Sequence, residues 1–366
     1  MMTLGTHRED MGNQFRSLAK RFVVRIPPIK ALLDSRQTLL DERDDVVAER
    51  RHLEEAYGAL ETSHKRLEEE ITRLKDEIQK GHDRLSLFGP DRPHVPNGHF
   101  YSPVPSQVEL RSDEDRIFVP FPRILPGIDL RENEQLNLLD AFATMYHDLP
   151  FTEKKQKEFR YYYDNSAYSY TDAIFLNSMI RHVKPKRIVE VGSGFSSCMT
   201  LDTNEIWFNN SIDCTFIEPY PKLLNSLIKD EDKGRIRVLE SRVQDVDLDC
   251  IRALERDDIL FIDSTHVSKI GSDVNRIVFE ILPLLTSGVY VHFHDIFYPF
   301  EYPKEWAFEG RAWNEAYILH AFLQHNSEFE IVAFNRFLLH FHRDFFERKM
   351  PLCLKNLGAN IWLRRK

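Results

Sequence analysis

Carboxylates and histidines follow the ends of several apolar runs in the second half of this chain. Each of these runs has the composition of a buried strand, and the groups at their ends are Glu190, Glu218, Asp263 with His266, and His294 with Asp295. Such groups bind cations or transfer protons. In an open α/β sheet, ligands bind outside the carboxyl ends of the strands. A purely structural sheet has no need of acids and histidines at one edge, so we expect these side chains to form a site.

A glycine-rich turn follows the first of these runs. Gly192 and Gly194 come directly after the run 187–191, with small hydroxylated residues at Ser193 and Ser197. Glycine lets the backbone turn sharply and approach a ligand, and the free amides at a helix start face such a turn. The spacing misses the dinucleotide fingerprint because Ser197 replaces the third glycine. Glu218, after the next strand, lies at about the distance expected for a ribose-binding acid.

The motif Glu190-x-Gly192-x-Gly194 resembles the first motif of the class I S-adenosylmethionine-dependent methyltransferases, and the resemblance covers roughly residue 98 to the C-terminus. It implies that Glu190 and the turn hold the methionine part of the cofactor S-adenosylmethionine, and that Glu218 binds the ribose hydroxyls. An adenine contact is implied after the third strand. The cofactor-binding candidates are Glu190, Gly192, Ser193, Gly194, Ser197, Glu218, Gln244, Asp245 and Asp263. A turn without a ligand and a nicotinamide site are the alternatives for so short a motif.

Methyl transfer from a sulfonium to oxygen is an in-line displacement, and the enzyme must remove a proton from the attacking hydroxyl. A histidine suits this proton transfer near neutral pH. The catalytic candidates are His266, His294 and Asp295, and we favour His266 because it follows a strand end on a turn. A second route uses a divalent cation such as Mg²⁺ held by Asp263 and Asp295, for which the sequence offers no evident third ligand.

The order of the patterns predicts an α/β fold with an N-terminal helical coiled-coil arm, and the resemblance implies that the sheet is a Rossmann-like, seven-stranded, doubly wound methyltransferase sheet. Apolar runs at 187–191, 214–217, 235–239, 258–262 and 288–296 alternate with helical segments. The segments 328–334 and 360–364 complete the sheet, and the resemblance implies that a final strand is inserted antiparallel. The predicted domains are a basic N-terminal segment (1–30), a coiled coil (31–88), a linker and cap (89–165) and the methyltransferase domain (166–366).

The predicted arm has an apolar residue at every seventh position from Leu32 to Leu74, and Ile71, Ile78 and Leu85 add a second column. Such heptads are typical of a coiled coil, so we expect the chain to form a homo-oligomer. In the earlier half the companion positions are mostly polar: Arg36, Arg43, Arg50, Tyr57 and His64. The seam should therefore be tightest between about 60 and 85. One long solvated helix lying on the catalytic domain is the alternative.

The composition limits the class of protein. A chain of 366 residues with 42% hydrophobic content can bury a sizeable core, and a net charge of −9 gives no reason to expect nucleic acid. The widely spaced cysteines match neither a zinc site nor a disulfide framework, which favours reduced thiols in the cytoplasm. We find no apolar leader and no run long enough to cross a bilayer. The basic and apolar residues 15–30 are candidates for a peripheral contact with the inner face of the membrane or for docking on a partner. A disordered tail and a short helix that ends at Pro27 and Pro28 are the alternatives.

Three segments resemble parts of a bacterial methyltransferase subgroup, many of whose members are associated with sugars or surface glycans: Phe100-Tyr-Ser-Pro, Pro126-Gly-Ile-Asp-Leu and Arg160-Tyr-Tyr-Tyr-Asp-Asn165. The tyrosines at 161–170 are candidates for a lid, for stacking on a ring, or for packing the cap on the core. The aromatic loop 298–306 is a candidate acceptor wall. We expect methylation of a sugar hydroxyl of a surface glycan or other saccharide. An NAD-dependent oxidoreductase and a coiled-coil scaffold with an inactive methyltransferase-like domain are the alternatives.

Overall fold

A computed structural model describes residues 27–86 and 93–366, with side chains given for 29–78 and 93–366. Residues 1–26 of the predicted basic segment lie outside the described residues. The chain divides between Pro93 and His94 into two units, and each is described by itself. No helix within the described ranges is long and apolar enough to cross a membrane.

The N-terminal unit is dominated by a single helix, α1, which spans Pro27–Ser86. Pairs of opposite charge four residues apart support it, such as Arg50 with Glu54 at 2.8 Å. The residues of the first heptad column, from Leu32 to Leu74, are each between 45% and 70% exposed. An apolar column at this spacing gains stability only when another surface covers it. The helix itself fits the predicted arm.

The C-terminal unit is built on one seven-stranded sheet. Its strands are β1 (Arg187–Val191), β2 (Asp213–Ile217), β3 (Arg237–Leu239), β4 (Ile259–Ile262), β5 (Tyr290–His294), β6 (Phe329–Phe334) and β7 (Asn360–Arg365). The order is β3-β2-β1-β4-β5-β7-β6, and β7 pairs antiparallel with both β5 and β6 while the other pairings are parallel. The predicted fold class is therefore confirmed, including the inserted final strand.

Helices and turns connect these strands and cover the sheet. The helices of this unit are α2 (Gln107–Ser112), α3 (Glu114–Phe118), α4 (Glu132–Tyr146), α5 (Tyr170–Val183), α6 (Phe195–Phe208), α7 (Lys222–Leu227), α8 (Asp249–Arg252), α9 (Asp273–Arg276), α10 (Lys304–Phe308), α11 (Glu315–Leu323), α12 (Asn335–Phe341) and α13 (Arg343–Lys349). Short 3-10 turns lie at Asp230–Gly234, Leu282–Leu284 and Pro351–Leu354, and a π turn lies at Ile277–Ile281. Strand β4 is buried along its whole length, as expected for a parallel strand covered on both faces.

The cap is attached to the sheet domain through Arg160. This side chain is 2% exposed and binds Asp202 at 2.7 Å, Asp232 at 2.6 Å and Glu205 at 2.8 Å. Asp202 also accepts hydrogen bonds from the backbone amides of Arg160 and Tyr161. Each charge is paired because an isolated buried charge is costly. The neighbouring tyrosines at 161, 163 and 168 are buried, so their aromatic rings pack the cap against the core.

Strand β5 places two histidines on one face of the sheet. The rings of His292 and His294 lie 6.2 Å apart, as their alternation predicts. His292 is fully buried against Phe261 and Trp362, with ring distances of 4.1 and 4.7 Å, and neither ring nitrogen has a hydrogen-bond partner among the described residues. Burial lowers the pKa of His292 well below its usual value, with the charge of His294 acting in the same direction. His292 is therefore a neutral packing residue.

We expect His292→Leu to make the protein less sensitive to acid. Below pH 6.5 the unfolded chain takes up a proton at this histidine while the folded chain does not, so the free energy of unfolding falls with falling pH. Leucine removes this loss, and the variant should gain about 1.4 kcal/mol relative to the native protein per pH unit below 6.5. Denaturant unfolding at pH 5 to 8 measures it. Val291→Ala, on the same strand, should instead cost the same at every pH, and parallel pH profiles for native protein and His292→Leu would contradict the assignment.

Candidate active site

The glycine turn after β1 is closed by the end of β4. Gly192 has φ +80°, and a Cβ added there would lie 1.8 Å from the carbonyl oxygen of Asp263. Its amide donates to the carbonyl of Ile217 at the end of β2, at 3.0 Å. The amide of Asp263 donates to Val191 at 2.9 Å. The turn therefore joins three neighbouring strand ends, and only glycine fits at position 192.

Glu190 is a buried carboxylate with one satisfied oxygen. Its Oε1 accepts hydrogen bonds from the hydroxyls of Ser196 at 2.7 Å and Ser197 at 2.8 Å, while Oε2 is buried without a partner among the described residues. Burial raises the pKa of Glu190 to about 8, and the charges of Asp263 and Glu218 add to the rise. An ionised carboxylate at this position is stabilised by a nearby cation.

Glu218 follows β2 and faces the same turn. Its Oε2 accepts from the amide of Ser193 at 3.2 Å, and its Oε1 accepts from the amide of Tyr220 at 2.8 Å. The side chain is half-buried, so it is fixed and still accessible. Glu190, Glu218 and the end of β4 thus meet at one edge of the sheet, as the sequence predicts.

The two predicted adenine contacts lie beyond β3. The side-chain amide of Gln244 donates to the carbonyl of Gly271 at 3.1 Å, and Asp245 is an exposed acid bound to Arg242 at 2.7 Å. Neither side chain contacts the glycine turn through a hydrogen bond in the structure. Their assignment stays a prediction.

A cluster of two acids and two histidines occupies the ends of β4 and β5. Asp263 Oδ1 lies 3.4 Å from both His266 Nε2 and His294 Nδ1. Asp295 Oδ2 lies 3.8 Å from His266 Nε2 and 3.7 Å from His294 Nδ1. His266 and Asp295 both have left-handed backbones, with φ of +60° and +54°. Non-glycine residues with this conformation cluster at functional sites, because surrounding contacts must hold them there.

The cluster fixes the protonation of its members. Burial alone would lower the pKa of His266, but hydrogen bonds with Asp263 and Glu315 outweigh it and raise the pKa to about 10. For His294 burial is likewise outweighed, by the charges of Asp295 and Asp263, and the pKa is raised. Burial would raise the pKa of Asp263, yet the charge of His294 and the close approach of both rings hold the pKa well below its usual range. His266 and His294 are therefore both in the positively charged imidazolium form at neutral pH.

Asp295 is the acid of the cluster whose pKa is raised, whereas that of Asp263 is lowered. Burial raises its pKa, and the charges of His294 and His266 offset only part of that rise. A carboxylate with a raised pKa is a better proton acceptor than an ordinary one. Asp295 is also partly accessible, with 19% of its side chain exposed.

Two acids that position the histidines were missed in the sequence. Glu315, at the start of α11, is buried, and its Oε2 lies 2.8 Å from His266 Nδ1. Asp172, in α5, lies 3.6 Å from His294 Nε2 and accepts from the side chain of Asn360 at 2.6 Å. An acid within an otherwise apolar helical stretch is the one signal that marked Asp172 in the sequence. Nothing in the spacing links Glu315 to His266.

A cavity of about 550 Å³ opens on the cluster. It is lined by Ser166, Ala167, Asp172, Asp263, His294, Asp295, Phe297, Pro303, Trp306, Arg311, Arg336, Asn356, Gly358 and Ala359. Asp263 belongs both to this cavity and to the edge of the glycine turn, through the approach of its carbonyl to Gly192. The predicted aromatic loop supplies Pro303 and Trp306 to the wall, and Phe297 lies just before that loop. The cavity can therefore hold a molecule close to the cluster.

The predicted cation route has no complete ligand set in the structure. Within residues 29–78 and 93–366, no group of three or more histidines, cysteines or acids is arranged to hold a metal ion. Asp263 is engaged with two protonated rings, which compete with a cation for its oxygens. Metal binding by Asp263 and Asp295 stays a prediction.

The residues of the turn fit S-adenosylmethionine. Its amino acid part carries an ammonium group, and the unpartnered Oε2 of buried Glu190 is an acceptor that favours a cation. The hydroxyl of Ser193 is also buried without a partner among the described residues. Glu218 offers carboxylate oxygens to ribose hydroxyls, and the missing Cβ at Gly192 lets the turn pack directly against the end of β4.

Residues 189–296 match the model of a family described as a methyltransferase domain, a stretch that begins in β1 and ends just after Asp295. An uncharacterised protein of Archaeoglobus fulgidus is 37% identical over 165 residues, which cover 44% of this chain and 73% of that protein.

Solved structures with a similar chain arrangement include two methyltransferases. PaMTH1 of Podospora anserina, bound to S-adenosylhomocysteine, has a TM-score of 0.36 and 14% identity, with 75% of this chain and 99% of that chain covered. The O-methyltransferase TomG of Streptomyces achromogenes, in complex with S-adenosylmethionine, has a TM-score of 0.35 and 13% identity, with 70% and 95% covered.

Proposed function

We propose that this chain, whose residues 189–296 match a methyltransferase domain, is an S-adenosylmethionine-dependent methyltransferase that transfers the methyl group to a hydroxyl oxygen of a saccharide. The proposal rests on the location of Asp263 between the glycine turn and the cavity. Its backbone closes the glycine turn, and its side chain lines the cavity of about 550 Å³. A ligand on the turn and an acceptor in the cavity would therefore lie side by side, as an in-line displacement requires.

The residues of the turn would bind and orient the cofactor. Glu190 would pair with the ammonium group, Glu218 would accept from the ribose hydroxyls, and the backbone at Gly192 to Gly194 would pass close beneath both. When bound, the cofactor supplies an electrophilic methyl group on a sulfonium. The chain itself must align the acceptor oxygen and take up its proton.

We assign the proton acceptor to Asp295. It faces both histidines, lines the cavity and has a raised pKa, whereas His266 and His294 already carry protons. The two rings would instead keep Asp263 ionised and hold positive charge beside Asp295. Glu315 and Asp172 hold the rings from behind. Removing the hydroxyl proton during attack is general base catalysis.

A saccharide suits the polarity of the cavity. Carboxylates, protonated histidine and the asparagine side chain at 356 offer many hydrogen bonds, and Trp306 offers an aromatic face. Sugar rings present hydroxyl groups at their edges and C–H groups on their faces, which match such a lining. The three segments that resemble the glycan-associated bacterial subgroup support the same class of acceptor.

Two measurements test the proposed function. Calorimetric titration of the full chain should show binding of S-adenosylmethionine and none of NAD. Incubation with labelled S-adenosylmethionine and a cell-envelope extract should then transfer label to a saccharide. Binding of NAD alone would favour an oxidoreductase, binding of neither would favour a scaffold, and label found only on protein or lipid would overturn the saccharide acceptor.

We also propose that α1 joins copies of this chain in a homo-oligomer. The first-column residues are exposed along the helix from Leu32 to Leu74, and Ile71 and Ile78 form the second column, at 50% and 62% exposed. Two such helices would cover each other's seam.

Replacing Leu67 by Glu should shift the protein toward monomers in sedimentation, because a charge would enter the buried seam. Thr72→Glu lies on the same helix away from both columns and should leave the sedimentation unchanged. Native protein that is monomeric at micromolar concentration would overturn the proposal.

A further inference from the structure

The cavity wall contains an arginine without a counter-charge in contact. Arg336 lies in the first turn of α12 and is half-buried, and its guanidinium carbon is 5.2 Å from the ring centre of Phe297. Within the described part of the chain, it makes no hydrogen bond and no ion pair. Other half-buried arginines of this unit are paired: Arg131 with Glu330 at 3.0 Å and Arg187 with Asp258 at 3.0 Å. Arg336 thus differs from both.

The burial of Arg336 is costly without an anion. Burial lowers the pKa of this guanidinium, and Asp172 offsets only part of the effect from a distance. A partly buried charge is tolerated when a partner neutralises it, and the planar guanidinium suits carboxylate and phosphate groups. The structure therefore holds a cation ready for an anionic ligand.

The acids that share this cavity do not fulfil that role. Asp172 is occupied by Asn360, the amide of Ala359 and His294. Asp263 faces both protonated rings, and Asp295 faces the same pair. Each carboxylate therefore has a positive group or donors of its own, while Arg336 has no acid in contact within the described residues.

A second cation strengthens the positive side of the cavity. Arg311 lies 4.4 Å above the ring of Trp306 and pairs with the exposed Glu309 at 2.8 Å. Both arginines and Trp306 line the cavity that contains Asp295. A saccharide bound in this cavity would therefore share it with two guanidinium groups and an indole ring.

We infer that the acceptor is an acidic saccharide, whose carboxylate or phosphate group binds Arg336 while its hydroxyl faces Asp295. The inference rests on the proposed function and adds the charge of the substrate to it. Ion pairing with a guanidinium fixes one end of the sugar, so that one hydroxyl reaches the cluster. Arg336 is then a specificity-determining residue.

Binding of three small probes tests the inference. Glucuronate, glucose 6-phosphate and glucose would be titrated by calorimetry into the full chain saturated with S-adenosylhomocysteine. At least one anion should bind about 10- to 100-fold more tightly than glucose, the range for hydrogen bonds to charged groups. The stronger of the two anions identifies the carboxylate or the phosphate as the recognised group.

Arg336→Met should abolish this preference and keep the affinity for S-adenosylhomocysteine. Arg343→Met is the matched control, because Arg343 is exposed and pairs with Glu347 at 3.0 Å. That variant should retain the preference. An anion preference that persists in Arg336→Met would overturn the inference, and so would equal binding of all three probes or binding of none.

The charge of the labelled envelope saccharide distinguishes the acidic acceptor from the proposed function as a whole. It should bind to an anion-exchange resin, and its labelling should fall about 10- to 100-fold with Arg336→Met. Label on a neutral saccharide would overturn the acidic acceptor and support the proposed function. Failure of S-adenosylmethionine to bind at all would instead overturn the proposed function.

Discussion

Gly192→Ala should lose cofactor binding almost completely. The added Cβ would lie 1.8 Å from the carbonyl oxygen of Asp263, so the turn and the end of β4 must move apart. Backbone atoms cannot rotate away as a flexible side chain can. A misplacement of about 1 Å costs on the order of 10²-fold in reaction rate, and we expect a loss of at least similar size in the affinity for S-adenosylmethionine by calorimetry.

Gly271→Ala is the matched control for this change. Gly271 also has a positive φ, of +71°, but no atom lies within 4 Å of the position that an alanine Cβ would occupy there. Alanine there should cost about 1 kcal/mol in unfolding free energy from the backbone conformation alone and leave cofactor affinity unchanged. Equal cofactor affinity of Gly192→Ala and the native protein would contradict the position of the turn.

Asp295→Asn should lower the rate of methyl transfer by about 10²- to 10⁴-fold, the range for a general acid or base. The amide cannot take up the hydroxyl proton, yet it has nearly the shape of the carboxylate. Asparagine also tolerates the left-handed backbone at this position. Affinity for S-adenosylmethionine should therefore stay within a few-fold. Label transfer to the envelope saccharide at saturating cofactor measures the rate.

Two controls distinguish proton transfer by Asp295 from a backbone effect and from metal binding. Asp257 also has a left-handed backbone, with φ +70°, and lies outside the cavity lining, so Asp257→Asn should transfer label at the native rate. Exhaustive chelation of the native enzyme should leave the rate unchanged. Loss of activity on chelation would assign Asp295 to a metal site instead, and near-native activity of Asp295→Asn would remove it from proton transfer.

The arrangement of the strand ends was readable in the sequence. Parallel strands point the same way, so residues that follow Val191, Ile217 and Ile262 must reach one edge of the sheet. The glycine turn was readable for a related reason, since two glycines directly after an apolar strand mark a sharp bend. These features depend on neighbours in the chain and on the fold class.

The roles of the histidines required the packed structure. Alternation placed His292 and His294 on one face, but it did not show that His292 is buried between Phe261 and Trp362 while His294 lies beside three acids. Nearby carboxylates raise the pKa of a histidine, whereas burial without a carboxylate lowers it. The sequence favours His266 as the base because an isolated histidine titrates near neutral pH, and the acids around His266 support our proposal that Asp295 takes up the proton instead.

By itself, the sequence determined the class of fold, the glycine turn and the edge where Glu190, Glu218 and Asp263 collect, because each follows from local periodicity and strand direction. Only the tertiary structure decided which groups carry protons and which charge lacks a partner among the described residues. Glu315 contacts His266, which lies 49 residues away in the chain. Arg336 has no acid in contact within the described residues, because the acids of the cavity pair with other groups. Burial and distance set these properties, and neither exists until remote segments pack together.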